Sequence, residues 1–277
     1  MNILHELLAQ LPFAWAQYGF MQNALVGIIL VSPLFAVLGC MVINNQMAFF
    51  SDAIGHSALT GIAVGVLVGM ADPVWAMLLF AIVLAFGVTY LRHTSLSSTD
   101  TIIGLVMAFA VALGLVILSR EGGFGRKYAK YLVGDILSIS SAELAGALVM
   151  LALIFILWLY FFNRFLLALT NRSLARSRGV NVWLVDAIFA TVVAVVVTVS
   201  LRWVGLLVVN SLLILPAAAA RNVARGTAHY MATAIVVSTA SGVLGLIASY
   251  YLRTTAGATI VLFCMAFFLA SIPLRRR

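Results

Sequence analysis

Apolar residues dominate the chain in long, nearly unbroken runs that recur from one end to the other. A run of about 20 apolar residues is what an α-helix needs to cross the hydrocarbon core of a membrane. Short polar or turn-forming breaks separate the runs, such as Asn44-Asn45 and Asp72-Pro73. The pattern predicts helices over 18–43, 47–70, 73–91, 101–119, 144–162, 184–203, 204–220, 229–251 and 257–273.

Two regions do not fit simple crossing helices. Residues 131–140 have the pattern of a short or re-entrant helix, and 184–220 is one long apolar region interrupted only around Arg202 and Gly205. Irregular backbone at membrane depth lines a pathway or is buried in protein, because lipid cannot satisfy its polar groups. We therefore predict an all-α polytopic membrane protein of about eight or nine transmembrane helices, with broken or re-entrant helices near 131–140 and 204–216.

Composition agrees with a chain whose surface faces membrane lipid. The 277 residues are 64% hydrophobic and only 9% charged, whereas soluble domains contain about 25% charged residues. We expect a single transmembrane domain over 1–277, because no polar loop is long enough to fold alone. The formal net charge of +8 fits arginine-rich cytoplasmic loops, and their placement predicts a cytoplasmic C-terminus. The sequence shows no basic surface for nucleic acid.

The ends of the chain and its cysteines add little chemistry. Leucines at helical spacing within 1–17 predict a short helix lying on the membrane surface. Cys40 and Cys264 lie inside apolar runs, which is typical of small buried side chains. The sequence contains no zinc-finger pattern and no nucleotide-binding GxxxxGK[ST] motif. We therefore predict no permanently bound cofactor and no ATP hydrolysis by this chain.

The stretch "FFSDAIGHSALTGIAVG", 49–65, holds the most informative polar residues. Asp52 and His56 are four residues apart, so a helix places them on one face. If the helix starts near Asn44, they lie about 11 and 17 Å into the membrane. The other acids and histidines read as loop, cap or interface residues, which makes this pair the only ionisable one at depth. Ionisable residues at that depth normally mark a pathway.

Three interpretations of Asp52 and His56 remain open at this point. A carboxylate oxygen with a neutral imidazole nitrogen suits Zn²⁺, Mn²⁺ or Fe²⁺. The same two groups would also serve a proton relay, or form a mutual bond that ties two helices together. Two ligands alone bind a metal weakly, so backbone oxygens, amide oxygens or a symmetric partner subunit would complete a metal site.

Two further stretches carry candidate functional residues. In "LLALTNRSLARSRGVNVWLVD", 166–186, Thr170 or Asn171 can begin a short helix and Gly179 can end it. This helix, in a predicted cytoplasmic loop over 163–182, would either rest near lipid headgroups or dock a cytoplasmic partner. In 203–226, Asn210 and Ser211 are polar within an apolar run, which is equally consistent with interhelical bonding and with lining a pathway.

These stretches together resemble one family, the membrane permeases of bacterial ABC importers for zinc, manganese and iron (ABC-3). The resemblance spans about 18–273. Its motifs occur in the expected order: "SDAIGHSALTGIAVG", "DTIIGLVMAFAVALGLVILS", "YLVGDILSIS", "LARSRGV", "VGLLVVNSLLILPAAAAR" and "TTAGATIVLFCMAFF". The chain departs from the family at "NNQM", 44–47, where Arg or Lys is common, and at Phe109, where some zinc members carry histidine.

The resemblance implies a subunit of an ATP-driven importer in the bacterial inner membrane. It implies three protein partners: a cytoplasmic ATPase dimer, an extracytoplasmic metal-binding protein, and a second permease that is identical or different. By this resemblance, Asp52 and His56 would be the intramembrane metal ligands, whereas Asn210 and Ser211 are candidate pathway residues by their polarity alone. The residues implied to couple to the ATPase are Asn171, Arg172, Ser173, Leu174, Ala175, Arg176 and Gly179. The alternatives are a permease for metal chelates and a proton-coupled secondary carrier.

Overall fold

The computed structural model describes residues 13–70, 72–119, 136–170 and 172–274, and no strand occurs within these ranges. The α-helices that they contain are α1 (Gly19–Asn44), α2 (Phe50–Leu67), α3 (Pro73–Thr94), α4 (Thr99–Ser119), α5 (Ser141–Thr170), α6 (Arg172–Ser177), α7 (Val182–Val204), α8 (Leu206–Val223), α9 (Thr227–Leu252) and α10 (Ala256–Ser271). Short 3₁₀ helices lie at Ala14–Gln17 and Ile136–Ser138.

The prediction of an all-α polytopic membrane protein is confirmed. Among the described residues, seven helices have the length and apolar composition needed to cross a membrane: α1 to α4 and α7 to α9. Two shorter apolar helical segments, Ala142–Leu157 and Ala256–Ser271, accompany them. The surface helix predicted within 1–17 and the re-entrant helix predicted at 131–140 lie largely outside the described residues.

Helix starts follow local capping chemistry. The Asp72 carboxylate accepts from the Val74 amide at 3.1 Å, and Pro73 occupies the first helical position of α3. Helix α5 begins with a capping box, because the Ser140 hydroxyl accepts from the Glu143 amide while Glu143 Oε2 accepts from the Ser140 amide at 2.8 Å. These bonds satisfy amides that the first helical turn leaves unpaired.

Glycines with positive φ mark two helix ends and one helix junction. Gly69 (φ 75°) ends α2 and Gly179 (φ 74°) ends α6. Gly205, with φ 84° and ψ 156°, separates α7 from α8. Residues other than glycine rarely adopt a positive φ, because their Cβ atom clashes with the backbone. The long apolar stretch 184–220 is thus two helices that part at Gly205, and α8 continues through Pro216 to Val223.

The chain forms two compact units. The first comprises Met1–Ile43, Gly134–Ala152 and Trp203–Arg277. In it, α1 meets α8 where Gly39 abuts the backbone carbonyl of Leu213, and α1 meets α9 through a Ser238 hydroxyl that donates to the Ser32 carbonyl at 3.1 Å. The helices can approach this closely because glycine has no side chain and the side chain of serine is small.

The second unit comprises Asn44–Val133 and Leu153–Arg202. Here α2 packs tightly against α3, because a Cβ at Gly61 would lie 2.6 Å from the Met77 Cα. Helix α2 also meets α4, where the Thr60 hydroxyl donates to the Ala110 carbonyl at 2.7 Å. The first unit holds Asn210 and Ser211, and the second holds Asp52 and His56.

Candidate functional site

Asp52 and His56 lie on consecutive turns of α2. Asp52 Oδ1 is 3.5 Å from His56 Nε2, and the side chains are 35% and 52% exposed respectively. The described residues contain no group of three or more His, Cys, Asp or Glu side chains placed to hold a metal ion. The two residues share one face of α2, and their side chains supply two donors on an accessible surface of the chain.

The packing of α2 explains why this pair faces outward. At 100° per residue, Gly61 and Gly65 lie on the side of the helix opposite to Asp52 and His56. The glycine side is fixed against α3, since a Cβ at Gly65 would lie 2.6 Å from the Ala76 Cβ. The ionisable side is consequently turned away from α3.

The start of α2 differs from the sequence prediction. The helix begins at Phe50 rather than near Asn44, because the chain makes a turn at Asn45-Gln46 in which Gln46 has a φ of 56°. At 1.5 Å per residue, Asp52 is about 3 Å and His56 about 9 Å from the helix start, and not the predicted 11 and 17 Å. The pair therefore lies in the first two turns of the helix.

The chemistry of the pair is that of a loose cation ligand. A carboxylate oxygen and an imidazole nitrogen are donors that Zn²⁺ and Mn²⁺ accept. Their separation of 3.5 Å exceeds the usual hydrogen-bond length. Because both residues belong to α2, their contact joins two turns of one helix. This arrangement disfavours the interpretation in which the pair ties two helices together.

Asn210 and Ser211 lie in the second turn of α8. Ser211 is 8% exposed, and its hydroxyl donates to the Leu207 carbonyl one turn earlier at 2.6 Å. Such a bond to the preceding turn satisfies the hydroxyl within its own helix. Asn210 is half-buried. Their proposed role in a pathway remains a prediction.

The predicted docking segment contains the short helix α6, Arg172–Ser177. Its end is a Schellman motif, in which the Gly179 amide donates to the Arg176 carbonyl and the Val180 amide to the Ala175 carbonyl, each at 3.0 Å. Ala175 is fully buried, whereas Leu174 is 44% exposed. Arg172, Ser173 and Arg176 are also exposed. Asn171 lies outside the described residues.

A second Asp–His pair, which the sequence did not predict, lies beside α6. Asp186 on α7 is 5% exposed, and its Oδ2 is 3.0 Å from His93 Nε2 at the end of α3. Arg172 Nη2 of α6 approaches the same oxygen at 3.5 Å. From the sequence, Asp186 and His93 were expected to be loop or interface residues. The only local signal was an acid in the first turns of an otherwise apolar helix.

The helices and their polar residues define a polytopic α-helical membrane protein. A model of the ABC 3 transport family matches residues 17–275, and the chain belongs to this family.

Relatives and a solved structure match over nearly the whole chain. The chain is 32% identical to the high-affinity zinc uptake system membrane protein ZnuB of Haemophilus influenzae, covering 91% of this chain and 96% of that protein. It is 29% identical to the manganese transport system membrane protein MntC of Listeria innocua, over 92% of this chain and 90% of that protein. PsaBC from Streptococcus pneumoniae, solved in complex with Fab, superposes with a TM-score of 0.78 and 26% identity, covering 100% and 98%.

Proposed function

We propose that the chain is the permease subunit of an ATP-driven importer of divalent transition-metal ions. In this proposal the ion passes from an extracytoplasmic binding protein to the cytoplasm through a site formed by Asp52 and His56. The observation that carries the proposal is the geometry of this pair: two metal-type donors 3.5 Å apart on the accessible side of α2. Family membership supports transport as the activity.

Incomplete coordination by one chain suits a transporter. Binding to a pathway site must be weak enough for the ion to leave, and a carboxylate with one imidazole gives few bonds. The exposure of both side chains leaves room for further ligands from water, from a second permease subunit of the same or another sequence, or from neighbouring helices. The second permease is therefore part of the proposal.

Energy for transport would come from a separate ATPase dimer. The chain has no GxxxxGK[ST] motif to cradle a nucleotide phosphate. Helix α6 presents Leu174 and Arg176 outward while Ala175 anchors it to the protein. An exposed apolar residue beside a cation on a short helix fits a docking contact. We place α6 and the C-terminus on the cytoplasmic side of a bacterial inner membrane.

The proposed cargo is a divalent transition-metal ion of the class that includes Zn²⁺, Mn²⁺ and Fe²⁺. One similar protein is named for zinc uptake and another for manganese transport. Oxygen and nitrogen donors accept all three ions, and affinity alone does not set selectivity among them. Phe109, which is 69% exposed on α4, adds no ligand.

Substitution of the pair tests the site. We expect Asp52→Ala and His56→Ala to lower ATP-dependent uptake of radioactive zinc or manganese by at least about tenfold, because each substitution leaves the chain with only one ligand for the ion. The measurement uses liposomes containing the permease, its ATPase and its binding protein. Matched controls are Asp100→Ala and His229→Ala, which remove exposed residues of the same types from α4 and α9.

Several outcomes would contradict the proposal. Wild-type uptake by both Asp52 and His56 variants would exclude the pair as the ion site. Uptake by the permease alone, driven by a pH gradient without ATP, would identify a proton-coupled carrier instead. Uptake of a metal chelate that free Zn²⁺ and Mn²⁺ fail to inhibit would identify a chelate permease.

A further inference from the structure

The contacts of Asp186 connect the docking helix α6 to transmembrane helices α3 and α7. A single carboxylate oxygen, Asp186 Oδ2, lies 3.0 Å from His93 Nε2 and 3.5 Å from Arg172 Nη2. An ionised carboxylate only accepts hydrogen bonds, so His93 donates from Nε2 to it. Because the Asp186 side chain is only 7% exposed, water cannot replace these partners easily, and the three elements are held together at this point.

The residue before His93 extends the connection to α2. The guanidinium of Arg92 donates to the Asn45 carbonyl at 3.3 Å and to Met47 Sδ at 3.1 Å. Gln46 lies between these two contacts, and its φ of 56° is unfavourable for any residue other than glycine. Such conformations persist only where the surrounding structure holds them. Arg92 thus holds the turn over 45–47 on both sides of its strained residue.

The turn is joined directly to the helix that carries the proposed ion site. The Phe50 amide, at the start of α2, donates to the Met47 carbonyl at 2.9 Å. Asp52 follows two residues later, in the first turn. A displacement of the turn is therefore carried into the first turn of α2 through a backbone hydrogen bond.

A polar pocket that is partly open to solvent lies beside these residues. A cavity of about 270 Å³ is bordered by the turn, by Arg92 and by Arg172, together with Thr99 and Ala168. Side chains that border a pocket contact fewer protein atoms than side chains in a packed core. The position of the turn relative to α6 consequently depends on the few hydrogen bonds and ion pairs that connect them.

We propose that Asp186, His93 and Arg92 are positioning residues that transmit movement of α6 to the start of α2. Displacement of α6 would move Asp186 and the end of α3, and Arg92 would carry this movement to the turn before Asp52. The inference rests on the proposed function, because it takes α6 as the ATPase contact. Asp186 itself does not hold the ion, since a divalent cation there would lie beside the Arg172 guanidinium and be repelled.

Asp186→Asn and His93→Gln test the connection in the complete transporter of permease, ATPase and binding protein. We expect both variants to retain co-purified ATPase and basal ATP hydrolysis. The stimulation of hydrolysis by metal-loaded binding protein should fall at least about fivefold, the lower end of typical coupling between sites. The matched control is Asp100→Asn, which changes an exposed aspartate in the first turn of α4. The Asp186→Asn/His93→Gln double variant should lose no more than either single variant.

Asp186→Glu separates a coupling role from a merely steric one. Asn has the shape of Asp without its charge, whereas Glu keeps the charge with a longer side chain. If the carboxylate transmits movement, the Glu variant retains more stimulation than the Asn variant; if Asp186 only fills space, the order reverses and the inference fails. Should Asp186→Asn not assemble, His93→Gln decides, because the His93 side chain is 19% exposed at a helix end.

The remaining outcomes are also distinguishable. Wild-type stimulation in both Asp186→Asn and His93→Gln overturns the inference and leaves the proposed function intact. Absence of stimulation in the unaltered transporter contradicts the proposed function, and the inference then fails with it.

Discussion

Substitution of Gly61 by alanine tests whether close contact between α2 and α3 positions the candidate site. A Cβ at Gly61 would lie 2.6 Å from the Met77 Cα and 3.1 Å from the Phe80 Cβ. Carbon atoms in favourable contact are about 3.5–4.0 Å apart. The Met77 Cα is backbone and cannot rotate away, so the two helices must separate by about 1 Å at this turn.

The magnitude follows from comparison with Gly87→Ala. A Cβ at Gly87, in the interior of α3, would have no neighbour within 4 Å. Both substitutions gain the same helix propensity, about 1 kcal/mol, which cancels when they are compared. Overpacking typically costs about 1–3 kcal/mol, and we expect Gly61→Ala to be less stable than Gly87→Ala by this amount.

Thermal unfolding of the purified permease in detergent measures the difference. At roughly 2–4 °C per kcal/mol, the midpoint of Gly61→Ala should lie several degrees below that of Gly87→Ala. Metal uptake should fall with it, because Asp52 and His56 move with α2. Equal midpoints for the two variants would refute the reasoning, since they would show that the α2–α3 contact yields without cost.

Two further predictions concern α6 and the junction between α7 and α8. Leu174→Glu should reduce co-purification of the ATPase, because Leu174 is the exposed apolar residue of α6. Ser177→Glu adds the same charge to the same helix and should retain the ATPase. Equal amounts of ATPase with the two variants would count against docking through Leu174. Gly205→Ala should cost about 1–3 kcal/mol, because its φ is 84°. Its yield and unfolding midpoint should be lower than those of Gly104→Ala, whose Cβ would have no neighbour within 4 Å, and a wild-type midpoint would disprove the strain.

Most helix positions were predictable because apolar runs and turn residues are local signals. The predicted 73–91 and 229–251 correspond to Pro73–Thr94 and Thr227–Leu252. The largest difference is α5, predicted over 144–162 and observed over Ser141–Thr170. The helix continues past Arg164, whose guanidinium lies 5.8 Å from the Phe161 ring centroid and 6.0 Å from that of Tyr160. Aromatic faces accommodate the cation there, so a charged residue did not mark the helix end.

In the candidate sites, too, only the features set by neighbouring residues could be predicted from the sequence. The relation of Asp52 to His56 is a four-residue spacing, which the sequence displays directly. Which side of α2 packs against α3 depends on residues that follow Pro73, so the exposure of the pair required the structure. The contact of His93 with Asp186 joins positions 93 residues apart. No pattern near either residue indicates the other, and the second turn of α7, which contains Asp186, was read as an interface for that reason.

The two Asp–His pairs differ in their separation and in their exposure to solvent. Asp52 and His56 are 3.5 Å apart and well exposed, whereas His93 and Asp186 are 3.0 Å apart and mostly buried. The long contact of the exposed pair leaves both side chains accessible to an incoming cation. A mostly buried carboxylate that already faces an imidazole and a guanidinium would lose both contacts to admit a cation, and little solvent reaches it to replace them. The exposed pair therefore fits the proposed ion transfer on α2, and the buried pair fits the proposed mechanical connection between α3, α6 and α7.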